Sequence, residues 1–144
     1  MESSFQKRRV VILIVVSNFL VPKIQFQKIS YNADEEDGIV SAILVRSGDT
    51  SGQSAVRCFT RQLTAKAGVD FDERADSDES VVTFERGEKT QECRVAINDD
   101  TFYEGDEMFR LVLGEAKLEP DMGRSLIGER SQAIITINDN NDRT

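Results

Sequence analysis

The chain of 144 residues contains no histidine and no tryptophan, and only two cysteines, two prolines and two tyrosines. Without histidine there is no Ser-His-Asp or Cys-His nucleophile system and no histidine-ligated zinc site. Two cysteines, Cys58 and Cys93, cannot supply the four thiolates of an all-cysteine zinc site. Basic charge is also short: 18 Lys and Arg stand against 26 Asp and Glu, a net charge of −8. That balance argues against a nucleic-acid duplex or any other polyphosphate partner. Paired carboxylates could in principle hydrolyse a glycosidic bond, but the chain has little aromatic surface to line a sugar cleft. The composition therefore points away from an enzyme, a catalytic residue set and a small-molecule substrate.

The remaining composition is that of one soluble globular domain. Hydrophobic residues make up 39% and charged residues 31%, which is ordinary for such a domain and unlike a disordered chain. The length suits a single core. Residues 1–21 stand apart. Lys7-Arg8-Arg9 precedes the apolar run Val10-Val11-Ile12-Leu13-Ile14-Val15-Val16, with Ser17 following. A basic start and a short apolar stretch are the layout of a secretory signal peptide. The run falls short of the roughly 17 to 25 residues of a spanning helix. Residues 1–21 are thus expected to be a signal-peptide-like or disordered segment, the chain's only route to a membrane, and residues 22–144 the folded domain.

From Pro22 onward the apolar residues recur with period two. Seven strands are expected: Ile24 to Phe26, Ile39 to Arg46, Ala55 to Thr60, Val81 to Phe84, Glu92 to Ile97, Met108 to Leu113 and Ala133 to Ile137. Val56, Cys58 and Thr60 share one face of the third strand, and Cys93, Val95 and Ile97 one face of the fifth. In the second strand, either Val40, Ala42 and Leu44 or the opposite set points inward. Residues 114–130, with three glycines and Pro120, read as a long loop. Short strands with Gly, Asp and Ser punctuation and no helical stretch imply an all-β antiparallel sandwich.

If consecutive strands alternate in direction, every second connection falls at one end of that sandwich. That end collects Asp34, Glu35, Glu36 and Asp37; then Asp70, Asp72 and Glu73; then Asp99, Asp100, Glu104, Asp106 and Glu107; and finally Asp139 and Asp142. More than half of the acidic residues therefore share one pole. Carboxylates at this density repel unless they are compensated. A hard divalent cation that takes six to eight oxygens would compensate them. The run from Asp99 is not an EF-hand, because Thr101 and Tyr103 occupy its third and fifth positions. The site would be composite, assembled from several loops.

These residues also resemble a known family. Glu35-Glu36-Asp37-Gly38, Thr64-Ala65-Lys66-Ala67-Gly68-Val69-Asp70-Phe71, Val82-Thr83-Phe84, the run Asn98-Asp99-Asp100 through Glu104, Asp106, Glu107 and Phe109, and Ile135-Thr136-Ile137-Asn138-Asp139 are similar, in order and spacing, to the Calx-beta domain. Arg57-Cys58-Phe59-Thr60-Arg61-Gln62 and residues 70–80 look more like the Calx-beta repeats of Fras/Frem-type extracellular matrix proteins than those of sodium–calcium exchangers. The resemblance implies a seven-stranded, immunoglobulin-like Greek-key sandwich that binds Ca2+ through its polar loops. By position it places metal ligands at Glu35, Asp70, Asp99, Asp100, Glu104, Glu107 and Asp139, with the main-chain carbonyl of Phe102. Thr101, Asn140 and Asn141 stand where calcium-binding members carry further aspartates, which should weaken affinity. The tail Asn138-Asp139-Asn140 is also similar to the cadherin linker, whose other calcium motifs are missing.

The implied function is a calcium-binding structural or adhesion module in the extracellular matrix, with other matrix or adhesion domains as partners. The alternatives are a calcium-independent interaction sandwich with a vestigial site, or an intracellular sensor like the exchanger domains. In the Greek-key order that the resemblance implies, the third and fifth strands lie in opposite sheets. Cys58 and Cys93 would then form an inter-sheet disulfide if the compartment is oxidising. In a reducing compartment they would be two buried thiols.

Overall fold

A computed structural model of the chain describes residues 21–99, 105–116 and 125–138. Of the expected N-terminal segment 1–21, residues 1–20 lie outside the described residues. Nine strands are present among those described: β1 (Lys23–Phe26), β2 (Ser30–Asp34), β3 (Ile39–Ser47), β4 (Ser54–Gln62), β5 (Val81–Phe84), β6 (Thr90–Ala96), β7 (Glu107–Glu115), β8 (Leu126–Ile127) and β9 (Gln132–Asn138). Single turns of 3-10 helix cover Glu35–Asp37 and Asp78–Ser80. One sheet has the order β6-β3-β1-β8 and the other β2-β9-β7-β4-β5.

The seven strands expected from alternation are all there, and the open choice in β3 resolves with Val40, Ala42 and Leu44 inward. Their in-phase residues meet between the sheets in one core, which includes Phe26, Leu44, Val56, Phe71, Phe84, Val95, Phe109, Leu111 and Ile135. Burying one face of each strand is what fixes the register, since a one-residue slip would turn every core side chain to solvent. Phe71 and Phe109 stack with centroids 4.1 Å apart.

The two further strands correct the expected loops. Residues 27–38 are not one loop, because Ser30–Asp34 runs parallel to β9, with Asp34 opposite Asn138. The chain thus leaves one sheet after Phe26 and enters the other at Ser30. Tyr31 ties this crossing: its hydroxyl accepts from Lys28 N–H at 3.1 Å and donates to the Ile43 carbonyl at 3.3 Å. Residues 114–130 likewise hold the end of β7 and the two-residue β8, parallel to β1. All other ladders are antiparallel.

A seam runs between the second half of β4 and the free edge of β6. β5 covers β4 only from Ser54 to Arg57. Beyond that point the segment from Asp70 to Arg74 fills the gap and bonds to both sheets. Thr60 N–H donates to the Arg74 carbonyl at 2.9 Å, and Asp72 N–H donates to the Ala96 carbonyl at 3.0 Å. The half-buried Arg74 guanidinium donates to the carbonyls of Cys58 at 2.8 Å, Ser80 at 3.2 Å and Arg94 at 3.4 Å. Burial lowers the pKa of Arg74 from its ordinary value, yet a guanidinium stays charged. Directly beneath, Cys58 and Cys93 are joined by a disulfide with a Cα–Cα distance of 6.4 Å, and both residues are fully buried.

The far pole has its own buried cation. Arg46 continues the inward phase of β3 and is only 3% exposed. It donates to the carbonyls of Gly52, Thr50, Glu85 and Glu88 and to the Ser54 hydroxyl, and it lies over the Phe84 ring. Five acceptors converging on one guanidinium pin the turns at that end.

Two outcomes follow from the seam. Replacing both cysteines by alanine should lower stability by about 3 to 4 kcal/mol, the chain-entropy contribution of a loop of this size, with the cysteines 35 residues apart. Urea unfolding of the full chain measures it. Arg74→Met should cost about 3 kcal/mol, because it strands three carbonyls that a charged donor served. Arg74→Lys should recover only part of that loss, since a point charge lacks the planar fork.

Candidate metal centre

Main-chain and side-chain bonds show which connections share a pole. The 3-10 turn Glu35–Asp37 ends at Gly38, whose φ of 73° is the left-handed conformation glycine adopts without strain. That turn directs the Gly38 carbonyl to Ile97 N–H, 2.9 Å away. Asn98 N–H then donates to the Asp70 carbonyl at 2.9 Å. The Asn98 side-chain amide spans the same loop, donating to the Val69 carbonyl at 3.2 Å and to Asp72 Oδ1 at 3.4 Å. On the other side, Asn138 Nδ2 donates to Asp34 Oδ1 at 3.3 Å. At the start of β7, Met108 N–H donates to Thr64 Oγ1 and its carbonyl accepts from Ala65 N–H, each at 2.8 Å. Among the described residues, the turns after β2 and β4, the segment that leaves β6, the start of β7 and the last residue of β9 therefore lie at one end of the sandwich.

The expected ligands take different positions at this end. Glu35 opens the 3-10 turn and is 8% exposed, and Asp70 is also 8% exposed. Few carboxylates are buried to that extent without a partner or a cation. Asp70 is anchored within its own loop, where its Oδ2 accepts from Lys66 N–H at 2.8 Å and its N–H donates to the Lys66 carbonyl. Asp99 follows Asn98 and is exposed, while Glu107 begins β7 opposite Ile137. Register thus puts Glu107 on the strand next to Asn138, and Asn138 next to Asp34 and Glu35. Asp100, Phe102, Glu104 and Asp139 lie outside the described residues. Among the described residues no group of three or more carboxylates stands close enough to hold a metal ion.

The donor set at the pole is nevertheless all oxygen: carboxylates, asparagine amides and main-chain carbonyls. That chemistry suits Ca2+ or another hard cation and does not suit zinc. Sequence reasoning assigned no role to three residues that organise the pole and the seam below it, although Gly38 and Asn98 stand inside the runs that resemble the family. Asn98 is a polar residue among acids. Gly38 could have been anticipated as the end of a turn. Arg74 is the only basic residue between Lys66 and Arg86, and that isolation was the available clue. Among the described residues no helix is long and apolar enough to cross a membrane.

Known proteins are similar to this chain in sequence and fold. Residues 20–141 match the model of the Calx-beta domain. The chain is 39% identical over 122 residues to Extracellular matrix protein 3 of Lytechinus variegatus, covering 85% of this chain and 4% of the relative. It is 39% identical over 124 residues to FRAS1-related extracellular matrix protein 2 of Homo sapiens, covering 86% of this chain and again 4% of the relative. It therefore corresponds to a small part of these long proteins. Among solved structures, the calcium binding domain CBD12 of CALX1.1 superposes with a TM-score of 0.65 at 29% identity, over 82% of this chain and 44% of that one. The two-sheet architecture, the family match across nearly all of residues 22–144 and the matrix relatives agree: the chain belongs to the Calx-beta domain family.

Proposed function

We propose that residues 22–144 form a calcium-binding structural module of an extracellular matrix-type protein, with Ca2+ held at the acidic pole. The observation that carries this reading is the burial of two carboxylates, Glu35 and Asp70, at the end of the sandwich where the turns after β2 and β4 meet the ends of β6 and β9. Asp99, Asp100, Glu104, Glu107 and Asp139, with the Phe102 carbonyl, would complete the oxygen set. A bound cation would neutralise repulsion among these acids and lock the loops together. It performs no chemistry on a substrate in this reading, and the chain's own residues supply only oxygens and loop geometry.

Three features support an extracellular setting. The disulfide suits an oxidising compartment. The matrix proteins named above share 39% of aligned residues with this chain. Its start also has the composition of a secretory signal. Other matrix or adhesion domains are the partners this setting supplies, and the acidic pole would stiffen the contact between neighbouring modules when Ca2+ binds.

Binding to the folded state alone raises its stability by mass action. Thermal melting of the full chain should therefore shift upward between EDTA and millimolar Ca2+. Calorimetry should give a Kd of about 10⁻⁴ to 10⁻³ M, the range of extracellular oxygen-ligand modules. Equal melting temperatures in the two buffers would refute the proposal.

Glu104→Gln should remove most of that shift while leaving the EDTA melting temperature unchanged. Glu73→Gln should keep it, because Glu73 is an exposed acid on the outer side of the seam segment. Identical behaviour of the two variants would show that the ligand set is misassigned.

A further inference from the structure

We propose that the outward face of the five-stranded sheet is a recognition surface for a sulfated glycosaminoglycan chain. In β4, Val56, Cys58 and Thr60 point into the core, so Arg57, Phe59 and Arg61 point outward. On the neighbouring strand, Val112 stands opposite Phe59 and Arg110 opposite Arg61. Two guanidinium groups thus occupy directly paired positions, an arrangement that destabilises a sheet unless something compensates it. The chain's own acids compensate only part. Asp76 serves both Arg57, at 2.7 Å, and Arg61, at 3.4 Å. Asp78 adds one longer contact to Arg57, at 3.8 Å. Arg110 has no ion pair among the described residues.

Phe59 organises the face. Although it points away from the core it is only 6% exposed, and the Arg61 guanidinium lies 4.7 Å from its ring centroid. Gly114, on β7, makes the space: a Cβ there would lie 3.1 Å from the Phe59 ring. Stacking restrains Arg61 before any ligand arrives, which reduces the entropy lost on binding.

The chemistry of the face selects the partner. Arginines in open water hold a single small anion weakly, whereas a chain of linked anions gains from every further contact it makes. Arg57 and Arg61 are four residues apart, about 13 Å along the strand, and Arg110 is one strand over, about 5 Å away. A linear polymer laid across β4 and β7 can reach all three, and the planar guanidinium fork matches the paired oxygens of an oxyanion such as sulfate. Acids that contribute to the net charge of −8, among them Glu35, Asp70 and Asp99, lie at the acidic pole, toward the ends of the same strands. A stiff duplex of uniform charge would meet that pole, whereas a flexible glycan can follow the arginines and avoid it. The partner class rests on the extracellular setting proposed above and not on calcium binding.

Calorimetric titration of the full chain with heparin oligosaccharide, in EDTA at about 0.15 M salt, tests this independently of any metal. Saturable binding that weakens with rising salt is expected. Arg61→Ser combined with Arg110→Ser should weaken it at least about tenfold, and Arg110→Ser alone about threefold. Arg86→Ser, which removes the same charge from an exposed turn elsewhere, should leave it unchanged. The double variant should melt close to the parent, since relief of the like-charge pair offsets the loss of the Arg61 stack on Phe59 and its contact with Asp76. Absence of heparin binding, or equal losses in the Arg86 control, would overturn the proposal. So would equally tight binding of polyglutamate or single-stranded DNA, which would mark a general polyanion surface.

Discussion

The side of the acidic pole that holds Asp70 and Asn98 depends on how the seam between β4 and β6 is closed. A sandwich has two open sides, and here one of them runs directly below the loops that carry the acids. The disulfide fixes the separation of the two strands. The segment from Asp70 to Arg74 then supplies hydrogen bonds to both sheets where neither has another strand to offer. Arg74 completes the closure by serving carbonyls of β4, β6 and the 3-10 turn at Ser80. A cation at this position tolerates partial burial because it donates to main-chain oxygens that would otherwise be stranded.

This closure links the core to the pole. Cys93 lies five residues before Asn98, and Asn98 bonds to the loop that holds Asp70. Asp70 is therefore positioned by covalent and main-chain constraints of the protein itself, with no need of a cation to hold it. Such preorganisation reduces the ordering cost of binding. It also explains why Asp70 can be nearly buried while remaining anchored by Lys66 N–H. The buried Arg46 at the far pole shows the same economy: the side seam and the far pole are each held by one arginine that bonds to several carbonyls.

The seven main strands were legible because their large apolar residues alternate, and a buried face leaves that signature in any sequence. The convergence of the loops followed from strand alternation alone. β2 was not legible, since Ser30-Tyr31-Asn32-Ala33-Asp34 fully buries only Ala33. Its position is set by main-chain pairing with β9, which leaves no side-chain pattern. β8 is two residues long and has no room for one. At the candidate site, residue types announced oxygen chemistry, and spacing showed which loops would meet. The contributions of Asn98 and Arg74 come from contacts with residues far away in the chain, and no local pattern encodes those.

The crossing from β1 to β2 has a mechanical consequence. Lys23 lies at the far pole, opposite Ser47, while Asn138 lies at the acidic pole, opposite Asp34. A pull between those two residues acts along the strands. The parallel β2–β9 ladder would then be loaded in shear, with its slanted hydrogen bonds sharing the force together instead of opening one after another. In a tissue under tension, a module wired this way would behave as a stiff link and resist being drawn out as a spring.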